Sequence, residues 1–307
     1  MKMTKRTLLV SAASLLLVSG CAKPAAYKDP IVNFQMASTV VIEGARTEYA
    51  VVNKKQRDAI IDRHVAEKKK ITLPDINTTR LLDCNDLDSR MKALNALKEH
   101  GNLLFKLANS NAPDEAKQAV NSLDDALFKL KASFDEEPQS PSEKEFKEKA
   151  GAFAIIAGEI TKLTLNAKID EALSKAIILS ENDVLSLITL IRDDMDKFRE
   201  RQRNIVSQTR LFAIEEYNKE IEQQPEPNPK RLGKAIKRLK QTEDAWENNS
   251  LLPDLGFNEM MKAHQKLINY AKKGQKTPED LSELVAIMDA FAKQAKIIAD
   301  TVKTIQQ

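Results

Sequence analysis

Residues 278–305 read PEDLSELVAIMDAFAKQAKIIADTVKTI. Leu281, Met288, Ala295 and Val302 recur at one heptad position, and Leu284, Phe291, Ile298 and Ile305 recur at the other. Val285, Ala292 and Ala299 widen that stripe beyond the seam of a two-stranded coiled coil, so the spacing predicts a helix that packs against several neighbours in a globular bundle. Thr277-Pro278-Glu279-Asp280 supplies a cap, a proline at the first helical position and acids in the first turn.

The same periodicity continues upstream. Phe257, Met260, Met261, Leu267 and Ile268 form the apolar stripe of a preceding helix, separated by SLLPDLG (250–256) from a helix over 230–248 that Asn228 caps and Pro229 begins. No proline falls between Pro141 and Pro225, and Ser140-Pro141-Ser142-Glu143 forms a capping box at the start of that span. Ser180-Glu181-Asn182-Asp183 is its one expected break, which predicts two helices of about 40 residues in a hairpin about 60 Å long. Ala116, Val120, Leu123, Leu127, Leu130 and Phe134 mark one earlier helix, and Leu87, Met91, Leu94, Leu97, Leu104 and Ala108 mark another. KKKITLPDINTT (68–79) is read as a break after a first helix from Ala37 to Glu67, with a thin stripe of Val41, Ala45, Val52 and Ala59.

Composition agrees. Only 8 glycines and 5% aromatic residues accompany 30% charged residues, which is too little glycine and aromatic content for a strand-and-turn architecture. The expected fold is all-α, an elongated multi-helix bundle of about seven or eight helices with a long antiparallel helical hairpin.

The N-terminus carries an address. Lys2, Lys5 and Arg6 precede an uncharged run from Thr7 to Val18, which is too short to cross a bilayer that needs roughly 20 residues and suits a secretory leader. Val18-Ser19-Gly20-Cys21 resembles the bacterial lipobox. That resemblance implies a signal peptide over 1–20, acylation of Cys21, and a membrane anchor of several acyl chains. Ala22, in place of aspartate, resembles the pattern sorted to the outer membrane, with the body facing the periplasm. Pro24 and Pro30 place a tether over 21–36 and the helical body over 37–307.

The net charge of +3 comes from the leader: removing its three cations from the 48 basic residues leaves 45, equal to the 45 acidic ones. A global nucleic-acid surface therefore has no electrostatic support. With Cys21 acylated, Cys84 is left alone and no disulfide within the chain is expected. It has no basic neighbour to activate it and is expected as a small buried side chain.

The catalytic inventory is thin. His64, His100 and His264 form no HExxH and none follows a glutamate at helical metal-site spacing. His264 lies in an apolar stripe and is expected to be partly buried and hydrogen-bonded to a neighbour. Ser89-Arg90-Met91-Lys92 matches SxxK but lacks the companion motif and the sheet that chemistry needs. Asp83-Cys84-Asn85-Asp86-Leu87-Asp88 lacks the glycine and closing glutamate of a calcium loop; these acids, like Asp193, Asp194 and Asp196, are expected on a solvated face. No catalytic residue, metal ligand or cofactor is expected.

Two stretches point to binding. KRLGKAIKRLK (230–240) holds six cations and no acid. Lys230, Arg231, Lys234, Lys237, Arg238 and Lys240 surround an apolar arc of Leu232, Ala235, Ile236 and Leu239, either as the solvated face of a docked helix or as a patch for anionic head groups or an acidic partner. The apolar run over 176–191 either packs under other helices or meets a partner or a bilayer. Small residues at Ala150, Ala154 and Gly158 would allow close helix contact. The expectation is a non-enzymatic, lipid-anchored periplasmic protein that binds another envelope protein as scaffold, accessory subunit or inhibitor. The alternatives are a membrane-active protein using the 176–191 hairpin and a cell-wall hydrolase.

Overall fold

The computed structural model describes residues 27–77, 82–109, 113–134, 141–166, 169–222, 226–251 and 256–306. Among them are ten helices and no strand: α1 (Lys28–Ala66), α2 (Leu73–Asn77), α3 (Cys84–Asn109), α4 (Pro113–Ala132), α5 (Pro141–Asn166), α6 (Ile169–Leu179), α7 (Glu181–Ile221), α8 (Pro229–Leu251), α9 (Phe257–Lys272) and α10 (Pro278–Gln306).

The stripe of α10 packs as its spacing requires. Leu284, Met288, Phe291, Ala295 and Ile298 are buried, and Val285, Ala292 and Ala299 are half-buried beside them. Its cap is reciprocal: the Asp280 N–H donates to Thr277 Oγ1 at 3.3 Å, and the Thr277 N–H donates to Asp280 Oδ2 at 2.9 Å. Asn228 Oδ1 likewise accepts the Lys230 and Arg231 N–H groups at the start of α8. At the start of α9, Gly256 holds φ +78, and a Cβ there would lie 3.0 Å from Ile298 and 3.2 Å from Val41. Only glycine fits that junction without strain.

Two boundaries differ from expectation. α1 begins at Lys28, so residues 28–36 belong to the body and not to the tether, and Tyr27, Ile31 and Phe34 are core residues. Pro30 is no obstacle, because a residue in the first helical turn has no intrahelical acceptor for its N–H. The second concerns the hairpin. The Ser180 N–H donates to the Ala176 carbonyl and the Ser180 carbonyl accepts from Val184, yet Ser180 is a turn residue that ends α6 and opens α7, so the expected break is present and what differs is where the chain reverses. Arg90 stacks on Phe146 at 4.6 Å and binds Asp194 at 2.6 Å, which sets the start of α5 beside the first half of α7. The reversal therefore lies between α5 and α6. One arm of the hairpin is α5; the other is α6 followed by α7.

Helix directions follow from the side-chain pairs. α7 runs parallel to α1, with Tyr49 beside Asp194 and Lys55 beside Gln202. α3 runs antiparallel to α1, with Lys98 beside Glu43 and Asn53 beside Leu82. α8 returns antiparallel along α7, with Glu243 on Arg210 and Arg238 on Glu216. The main core is built from α1, α3, α4, α5, α6, α9, α10 and the first half of α7. The apolar run 176–191 lies inside it: Ala176, Ile177, Val184, Leu187, Ile188 and Ile191 are all buried. Ala150 and Ala154 are buried too, whereas a Cβ on Gly158 would meet nothing within 4 Å among the described residues. No helix among the described residues is long and apolar enough to cross a membrane.

Candidate functional site

Beyond residue 199 the composition of the buried surface changes. The second half of α7, α8 and the last turns of α1 form an arm that leaves the main core, where the buried residues are Ile60, Gln202, Ala213, Ala235 and Thr242. Charge holds its register. The Arg210 guanidinium lies 2.7 Å from Glu243 and 5.3 Å from the Trp246 ring, and Arg238 bridges Glu216 at 2.7 Å and Asp62 at 3.4 Å. A cleft of about 470 Å³ opens at this junction, lined by Asp62, Val206, Thr209, Arg238, Gln241, Thr242 and Ala245.

Of the six cations expected at an anionic surface, Arg238 is half-buried and engaged in those two ion pairs. Lys230, Arg231, Lys234, Lys237 and Lys240 are exposed and make no ion pair among the described residues. They sit at the free end of the arm, because Arg238 is level with Asp62, four residues before the end of α1. α1 is 39 residues long, about 60 Å, and the α7–α8 pair extends roughly 10 Å past it.

A second basic segment lies toward the same end. α1 closes on Glu67, and Lys68, Lys69 and Lys70 follow, all exposed. Lys68 holds φ +55, a left-handed conformation that glycine adopts far more cheaply. The Lys69 N–H donates to the His64 carbonyl, and His64 Nδ1 lies 3.1 Å from the Lys70 carbonyl, which folds the trio back on the helix end. The sequence signal was visible, but KKKITLPDINTT reads first as a helix break.

Elsewhere the structure brings together groups that sequence reasoning kept apart. Arg90, in the SxxK match, is fully buried and binds both Asp194 at 2.6 Å and Asp86 at 3.4 Å. The Tyr49 hydroxyl donates to Asp194 at 3.3 Å, and burial, then the Asp194 charge, push its pKa well up. Asp86 and Asp194 were expected on a solvated face and are instead buried beside Arg90, 104 residues separating that cation from Asp194. Ser89 is buried and Lys92 turns outward to Asp88, so the SxxK pair shares no accessible site. Carboxylate oxygens of Asp83, Asp86 and Glu143 come within 4.8 Å of one another and are the grouping that could hold a cation among the described residues. Arg90 and Lys147 already place positive charge against two of them.

His264 departs furthest from expectation. It is fully buried, stacked on Phe34 at 5.9 Å, and neither ring nitrogen has a hydrogen-bond partner. His100 lies 6.4 Å away, equally buried and equally unpartnered, edge-on to Phe153. Burial pushes His100 down to about 4 and, with His100 beside it, His264 down to about 3. Both are neutral at pH 7 and serve as core residues. Cys84, expected to be buried, is exposed in the first turn of α3. Cys21 lies outside the described residues.

Compared with known protein families, with curated proteins and with solved structures, the chain matches none.

Proposed function

We propose that the protein is an acyl-anchored periplasmic scaffold that holds a further component of the cell envelope at its distal end and performs no chemistry on it. The observation that carries this reading is the arm: a two-helix extension whose outer face presents five exposed cations, none of them in an ion pair among the described residues, at the far end of α1 from the N-terminus. Cys21 ties the chain to the membrane, the short segment before α1 connects it to the bundle, and the bundle fixes the arm at a distance. The outer membrane is the expected host bilayer, with the body in the periplasm. An accessory subunit or an inhibitor of an envelope machine is the same physical device with a different partner.

A photo-crosslinking amino acid placed at Lys234 or Lys237 in cells tests the arm. Discrete adducts there, absent for the same probe at Lys273, three residues beyond the Tyr270 that packs on Tyr27 at the other end of α1, are expected. Adducts of equal yield at both places would contradict a distal binding end. Replacing Cys21 with serine is expected to move the protein from the membrane pellet to the soluble fraction.

A further inference from the structure

The distal end combines cations with exposed aliphatic side chains. Val65 is 57% exposed, Ile71 39% and Leu73 70%, on either side of Lys68, Lys69 and Lys70. Ile221 at the end of α7 and Ile236 on α8 are 45% and 37% exposed. These five are nearly half of the large apolar side chains exposed among the described residues, gathered at one end of an elongated molecule. Arg63, Lys68, Lys70, Lys230, Arg231, Lys234, Lys237 and Lys240 carry the charge there without an ion pair among the described residues, and Lys69 is the one cation of the lysine trio with such a partner, Glu67 at 2.6 Å. The acids of this end are Asp62, Glu67 and Asp75 on the α1–α2 side and Glu215, Glu216, Glu220, Glu222 and Glu226 along α7 and the turn after it; Asp62 and Glu216 are held by Arg238 and Glu67 by Lys69, and none interrupts 230–240.

We infer that this end docks on an anionic phospholipid bilayer, the lysines and arginines meeting phosphate head groups while Ile71 and Leu73 enter the head-group boundary. The inference rests on the scaffold reading above and names the component that the distal end holds. Three features favour a bilayer over an acidic protein. Protein interfaces draw their affinity from packed aromatic and arginine anchors, and neither cationic segment contains an aromatic residue. Lysine-rich surfaces meet anionic lipid through delocalised charge, at about 1 kcal/mol per cation near the membrane. Exposed aliphatic residues beside lysines add burial that needs no shaped pocket, as in interfacial anchors. α1 keeps this end about 60 Å from its own N-terminus, so it reaches either a facing bilayer or, with the rod lying flat, a distant point of the same one.

The test uses the mature chain carrying Cys21→Ser, which removes the acyl contribution. It is expected to sediment with vesicles of phosphatidylglycerol and phosphatidylcholine in equal parts, to stay in solution with phosphatidylcholine alone, and to be released at about 0.5 M salt. Lys230→Gln, Lys234→Gln and Lys237→Gln together are expected to weaken binding about 100-fold, at about fivefold per cation. Leu73→Ser is expected to weaken it by several-fold with the salt dependence kept. No sedimentation with the anionic vesicles, equal sedimentation with both compositions, or indifference to the triple substitution would overturn the inference. Discrete protein adducts at Lys234 in cells, with no vesicle binding, would overturn the bilayer and leave the scaffold standing.

Discussion

The two halves of α7 are a comparison within one continuous helix. Over 184–198 the inward side carries Val184, Leu187, Ile188, Ile191, Met195 and Phe198, all buried in the main core. Over 202–221 the buried positions are Gln202 and Ala213, and contact with α8 rests on ion pairs, a cation over Trp246 and small side chains. A buried Leu or Ile side chain contributes about 1.5–3 kcal/mol, whereas an exposed ion pair contributes about 0–1 kcal/mol. The same secondary structure is thus held by unlike forces, and the second half stays formed while contributing little to the stability of the whole. Such an element can present a surface without disturbing the core that carries it.

The largest expected effect lies in the bundle and comes from acid. The folded-state pKa values of His100 and His264, about 4 and about 3, lie below the unfolded value of 6.5. Above pH 6.5 neither state is protonated and stability is complete. As pH falls below 6.5 the unfolded chain binds two protons that the folded chain refuses, so stability drops until the folded values are reached. The loss is on the order of 5 kcal/mol by pH 4. Asp86, raised by burial, takes its proton earlier in the folded state and offsets part of it. Denaturant midpoints between pH 7 and 4 check this, and His264→Leu should make the slope shallower; an unchanged slope would refute the assignment.

Next in size is Arg90→Ala, which strands Asp194 without its cation and should cost about 3–5 kcal/mol in urea unfolding. Gly256→Ala, strained at φ +78 and crowded by Ile298, should cost about 1–3 kcal/mol. Smallest is the arm: Arg210→Ala should cost at most about 1 kcal/mol of global stability, while local exchange in α8 rises. A global loss comparable to that of Arg90→Ala would erase the distinction between the two regions.

The sequence showed most where local signals and tertiary structure agree. The α10 stripe, the Thr277–Asp280 box and the Asn228 cap are all short-range patterns, and each folds as its spacing implies. It misled where a local signal is overruled. Ser180 breaks the helix as its side chain suggests, but the chain does not reverse there, because α6 and α7 both pack along α5. Pro30 helped suggest that the tether reached residue 36, but a proline in the first turn of α1 breaks nothing. Asp194 and Arg90 could not be paired by periodicity, because only the packing of α3 against α5 and α7 brings them together. For the candidate surface, the α8 cations were legible from their spacing. Their placement toward the same end as Lys68–Lys70 was not, since that depends on the registers of α1 and α8 along α7.

Amide hydrogen exchange read along α7 tests the central contrast most directly. Residues 184–198 should exchange only with global unfolding, and residues 207–221 about 100-fold faster or more, through a local opening some 3 kcal/mol cheaper. Equal protection along the whole helix would contradict the account.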